Sequence, residues 1–214
     1  MATTFDVYPG DDYIPSFLEL KTLTELKLQR YLRQHGIKAK LEISVRLNLI
    51  DNSSTQRVNL NSPAWWEENQ YAWFTLEGIA GGTGAYLLSL DEEFRQSLSS
   101  DWTSDHPGLQ PTPELAQVYT TARSLGRSWY FRRSAGQPAE INIAYGFLAS
   151  ALAELTNGVV YSDDSAWDFA RFPALPHDFD TWYMNPEAAL RSDYAKWASD
   201  CLTSLAEKYR SSEQ

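Results

Sequence analysis

Residues 139–168 read AEINIAYGFLASALAELTNGVVYSDDSAWD, and the reading of this stretch decides the fold. Ile141, Ala144, Tyr145, Leu148, Ala151, Leu152 and Leu155 recur at helical spacing and share one face. Gly146, Ala149, Ser150 and Ala153 are small enough to let that helix lie close on a sheet. Asn157-Gly158 stops it, because both residues tolerate the left-handed backbone of a helix end. Val159-Val160-Tyr161 follows at once and reads as a short buried strand. The chain then delivers Asp163, Asp164, Trp167 and Asp168 into a loop.

Upstream of this stretch, Thr112 fits an N-cap with Pro113 at the first helical position. Leu115, Val118, Tyr119 and Ala122 make the stripe of that helix, and Gly126 ends it. Residues 128–132, SWYFR, read as a strand, and 136–138 as a turn. Downstream, Pro173, Pro176 and Pro186 mark 169–186 as an ordered loop that wraps the domain. A helix from Glu187 to about Tyr209 follows, and the RSSEQ tail frays.

The first half carries its own signals. Residues 1–13 read as an extended or irregular lead-in, and 15–35 as a helix with Phe17, Leu20, Leu28, Tyr31 and Leu32 inward and Gly36 at its end. Ala39, Leu41, Ile43, Val45, Leu47 and Leu49 alternate with polar residues, which is the pattern of a strand with one wet face. Residues 56–60, 71–76 and 85–90 read as further strands, and 91–99 as a short helix. Residues 100–111 lack periodicity and read as a linker. The expected fold is α+β: a mainly antiparallel sheet with helices packed on one face. It fills one compact domain over 1–214, with 1–100 and 112–214 as the alternative two halves.

Composition narrows the function classes. The chain has 214 residues, 43% of them hydrophobic, so it can bury a core without staples. Its formal net charge is −10, which argues against nucleic acid or an anionic membrane as partner and fits a basic protein. Cys201 is the single cysteine, which excludes an internal disulfide. The start lacks a basic and an apolar signal region, and no apolar run approaches a membrane span, so a cytoplasmic protein is expected.

Few residues suggest catalysis. Gly78 to Gly84 lacks the Lys-Ser/Thr of a phosphate loop and reads as a glycine-rich hairpin. His35 falls at a helix C-terminus, where imidazolium is favoured. His106 has no companion motif. His177 is the histidine nearest the acidic loop, and a pairing with Asp168 would suit proton transfer, but no nucleophile accompanies it. The acids of 163–180 do not match a calcium loop, and no metal or cofactor is expected. Between 151 and 200 there are nine acidic against three basic residues, a net of −6. That concentration, with loop tryptophans beside it, points to an acidic-aromatic binding surface built from Asp163, Asp164, Trp167, Asp168, Asp178, Asp180 and Trp182.

The segment LTNGVVYSDDSAWD, at 155–168, after an alanine-rich helix, resembles one in uncharacterised bacterial α+β proteins, several of them similar to the immunity proteins encoded beside polymorphic toxins. GGTGAYLLSLD, at 81–91, is similar in flavour. The resemblance implies a small cytoplasmic antitoxin that binds a cognate toxin and blocks its active site. It carries no site residue with it. The first expectation is therefore an immunity-type, non-enzymatic inhibitor of a basic toxin. In it Asp163, Asp164 and Asp168 stand in for phosphate, and Trp167 and Trp182 anchor the contact. The alternative is an enzyme or small-ligand domain with an acidic pocket near 163–180.

Overall fold

The computed structural model describes residues 3–92, 112–164 and 168–210. Seven strands, β1 (Thr3–Tyr8), β2 (Ile43–Leu49), β3 (Thr55–Arg57), β4 (Gln70–Leu76), β5 (Thr83–Ser89), β6 (Arg127–Arg133) and β7 (Val159–Tyr161), form one sheet. Its order is β3-β2-β4-β5-β6-β1-β7, and every neighbouring pair is antiparallel. Five helices are described: α1 (Phe17–Gln34), α2 (Pro113–Leu125), α3 (Ala139–Leu155), α4 (Pro176–Trp182) and α5 (Ser192–Arg210). The α+β class with a mainly antiparallel sheet is as expected. Strands from 1–100 and from 112–214 share the one sheet, and the linker and short helix expected over 91–111 fall mostly outside the described residues.

α3 is the centre of the covered side. Every residue from Glu140 to Ala153 is buried, which is the signature of a helix packed all round. It touches β1, β4, β6 and β7 below it and α1, α4 and α5 around it. The close approach at Gly146 is to a helix neighbour rather than to the sheet. A Cβ there would meet the Tyr183 ring at 2.2 Å, and Tyr183 Oη donates to the Asn142 carbonyl at 2.6 Å.

Local caps explain the helix starts. Ser16 and Glu19 form a capping box on α1, and Thr112 caps α2 with Pro113 behind it. Gly126, at φ 65°, ends α2 in the left-handed conformation. Glu25 of α1 accepts from the Ile43 amide at 2.7 Å and Lys21 donates to the Ile43 carbonyl at 2.7 Å, which fastens α1 to the start of β2.

Strand parity sorts the side chains. Phe5, Val7, Ala72, Phe74, Ala85, Leu87, Trp129, Phe131 and Val160 point to the helices and are buried. Phe5 alone stacks on Tyr145 at 4.7 Å and meets Phe179 and Tyr183 at 5.4 and 5.7 Å. Each of the larger aliphatic and phenyl side chains among them contributes roughly 1.5–3 kcal/mol. On the opposite parity, α2 lies against β1 and β6 toward the β7 end of the sheet, where Tyr8, Leu90, Val118, Tyr119, Ala122 and Val159 form a second cluster. The middle of that second face has no helix over it among the described residues.

Three details differ from expectation. The lead-in contains β1, a strand between β6 and β7. The expected loop at 169–186 holds a 3-10 turn (Phe169–Arg171) and α4. The last helix starts at Ser192 rather than Glu187. Among the described residues, no helix is long and apolar enough to cross a membrane.

Candidate functional site

Of the seven residues expected to form one acidic-aromatic surface, six are described, and three of those are committed inside the protein. Asp163 is exposed and Asp164 half-exposed. Asp178 is exposed in the first turn of α4, 3.4 Å from His177 Nε2. Trp167 lies outside the described residues. Asp168 is 1% exposed: its carboxylate accepts from the Leu190 and Arg191 amides at 2.8 and 3.1 Å, with Arg171 3.8 Å away. That makes it a tether for the segment before α5, and it neither faces a partner nor pairs with His177. Asp180 is also committed internally. It binds Lys27 Nζ at 2.5 Å and accepts from Ser150 Oγ at 2.6 Å, while Lys27 also meets Glu154 at 2.6 Å. Lys27 is buried, so this cluster pins α1, α3 and α4 together. Trp182 is 2% exposed and packs on Phe172 and Phe179 under the Arg171 guanidinium. Asp168, Asp180 and Trp182 thus serve packing, because closeness in sequence put them beside the core rather than on one surface.

His35 also departs from expectation. Its ring meets that of Tyr31 at 4.6 Å in a tilted contact, and burial lowers its pKa, with Glu187 opposing. The groove beside it, of 1290 Å³, is lined by paired charges such as Lys27, Glu154 and Asp180. Among the described residues no three His, Cys, Asp or Glu side chains gather to hold a metal. Cys201 is buried, and burial pushes its thiol up, away from reactivity.

The open face of the sheet is where chemistry-bearing side chains converge. Cross-strand pairing places Asn48 beside Tyr71, Arg46 beside Trp73, Tyr86 beside Tyr130 and Arg132 beside Thr4. Tyr71 stacks on Tyr86 at 5.4 Å and meets Trp73 edge-on at 6.3 Å, and Tyr86 meets Tyr130 at 6.0 Å. The row is thus continuous over β4, β5 and β6. Glycine makes room for it: a Cβ at Gly82 would sit 2.8 Å from the Trp73 ring, and one at Gly84 3.2 Å from Tyr86. The glycine-rich hairpin expected at 78–84 is present, and this is its use. These rings are only partly buried, and Ile50 and Leu88 beside them are 54% and 40% exposed. Together they line a shallow concavity of 810 Å³ with Arg132 on its rim.

Toward β7 the same face turns acidic. Asp6 stands opposite Tyr130 on one side and Tyr161 on the other. Crowding of its carboxyl raises its pKa to about 7, and the charge of Asp163 adds to this. Tyr8 and Tyr119, 5.5 Å apart, are pushed up by burial and by that same carboxylate. β1 lies within the expected lead-in, and the sequence signal that places Asp6 on this face is the period two of Phe5 and Val7 against Thr4 and Asp6.

Comparison with protein-family models, with curated proteins and with solved structures finds no match to the chain.

Proposed function

We propose that the chain is a protein-binding protein of the immunity type, a non-enzymatic cytoplasmic inhibitor that captures a basic cognate toxin on the open face of its sheet. The observation that carries this reading is the uncovered row Tyr71–Tyr86–Tyr130 with Trp73, Ile50 and Leu88 around it. Tyrosine, tryptophan and arginine are the residues that dominate interface energetics. Their rings bury large areas at little entropic cost while the hydroxyls stay hydrated in the free protein. The net charge of −10 gives a basic partner a long-range pull, and the exposed Asp163, with the half-exposed Asp164 after it, lies beside Asp6 at the acidic end of that face, where charge raises the association rate. This reading moves the contact from the acidic loop to the sheet and leaves the loop a steering role.

The test is capture of the partner by the intact chain, compared with a Trp73→Ser/Tyr86→Ser variant of the same melting behaviour. A basic protein should be retained stoichiometrically by the natural chain, released by salt, and lost by at least tenfold in affinity from the double variant. Undiminished capture by the double variant would take the sheet face out of the interface.

A further inference from the structure

Among the described residues no counter-charge pairs with Asp6. Among the described residues it makes no hydrogen bond and no ion pair, although it is half-buried. The groups that face it come from four elements. Tyr8 shares β1 with it, Tyr130 projects from β6, and Tyr161 stands on β7 with Asp163 just beyond. Tyr119 reaches in from α2 and feels its charge. Arg132 is the basic side chain nearest in register, opposite Thr4, and it makes no ion pair with Asp6. A carboxylate without a partner costs free energy unless something neutralises it. Phenol rings present electronegative faces that attract organic cations. An acidic floor walled by four tyrosines therefore selects a guanidinium or ammonium group, while the missing internal cation leaves the place open for an external one.

We propose that Asp6, with Asp163 and the rings of Tyr130 and Tyr161, forms a recognition site for an arginine or lysine side chain of the protein partner. This rests on the reading that the partner docks on the open face, and it names what that partner inserts at the acidic end. Binding requires the ionised carboxylate, so the incoming cation releases the Asp6 proton to solvent. Asp6 titrates near 7, and occupancy therefore strengthens as pH rises.

The probe is N-acetylarginine amide, titrated into the full chain and followed by NMR at residues 6, 130 and 161, with N-acetylcitrulline amide as its neutral isostere. The natural chain should show a saturable response to the arginine compound alone, about tenfold tighter at pH 8 than at pH 6. Asp6→Asn, which keeps shape and fold, should lose it, and Asp163→Asn should weaken it by a smaller factor. Equal responses to both compounds, or equal responses of the natural chain and Asp6→Asn, would overturn the site. If the probe binds as expected while Trp73→Ser/Tyr86→Ser leaves partner capture intact, the site is one for a free cation. The docking reading is then what fails. If capture depends on Trp73 and Tyr86 but is indifferent to Asp6→Asn, the face stands and the cation site falls.

Discussion

The two faces of the sheet are both aromatic, and they use different rings. Under the helices stand Phe5, Phe74, Phe131 and Trp129, all buried, with Phe5 in contact with Tyr145, Phe179 and Tyr183. On the open side stand Tyr71, Trp73, Tyr86, Tyr130 and Tyr161, none of them fully buried, with Arg46 and Arg132 among them. The tyrosines of the covered side spend their hydroxyls on backbone carbonyls, as Tyr183 does on Asn142 and Tyr31 on Met184. Of the open-side hydroxyls, that of Tyr71 reaches only the exposed Asn52. Rings that must be dry are fixed by packing, whereas rings that alternate between water and a partner stand partly exposed.

This contrast can be broken at several points. The largest effect belongs to the covered side: Phe5→Ala should cost about 3–5 kcal/mol, read as a shift of the urea midpoint, because four rings lose their common neighbour. Asp180→Ala should cost about 3 kcal/mol, because Lys27 keeps only the half-exposed Glu154. A loss below about 1 kcal/mol in the same urea series would mean that the cluster does not hold the helices together.

Asp6→Asn sharpens the comparison through pH. The native carboxyl holds its proton up to about 7, whereas the unfolded chain releases it near 3.8. The stability this contributes is full below the lower value and lost as pH rises through the upper one. The natural chain should therefore fall relative to Asp6→Asn between pH 5 and pH 8, by about 1–2 kcal/mol after discounting for solvent access. Parallel urea melts at the two pH values measure it, and parallel curves would mean that Asp6 titrates as an ordinary carboxyl. Smallest is the open row, where Tyr86→Ser should change stability by only about 0.5–1 kcal/mol while partner capture collapses. Asp163→Lys with Asp164→Lys should leave the melting temperature unchanged and slow association several-fold at low salt.

Much of the fold was legible because local signals agreed with one another. Thr112, Pro113 and Gly126 bound α2 where the structure has it, and the apolar run from Ile141 announced α3. Alternation from Ala39 to Leu49 pointed to β2, although the strand begins only at Ile43 and Asn48 on its polar face is buried. The candidate site was harder to read because it is assembled by register. Tyr71, Tyr86 and Tyr130 lie in three separate strands, and only pairing of β4 to β5 and β5 to β6 makes them one row. The acidic loop misled for the complementary reason. Asp168, Asp180 and Trp182 are near one another in sequence, but backbone amides, Lys27 and the Phe172–Phe179 rings had prior use for them.

The position of β1 also sets an order of assembly. Its partners are Trp129 and Val160, so the strand made first is flanked by strands made more than a hundred residues later. Contacts of such separation are slow to form, because a long loop must close before they give anything back. While synthesis proceeds, residues 43–89 can zip as local antiparallel neighbours, but Phe5 and Val7 have no site to enter until β6 exists. β1 must therefore wait for β6, and β7, whose one ladder among the described residues is with β1, can join the sheet only once β1 is in place. The pairing of β1 buries Phe5 and Val7 on one side and brings Asp6 into its ring of tyrosines on the other, so the acidic end of the open face comes into being only when the whole sheet closes.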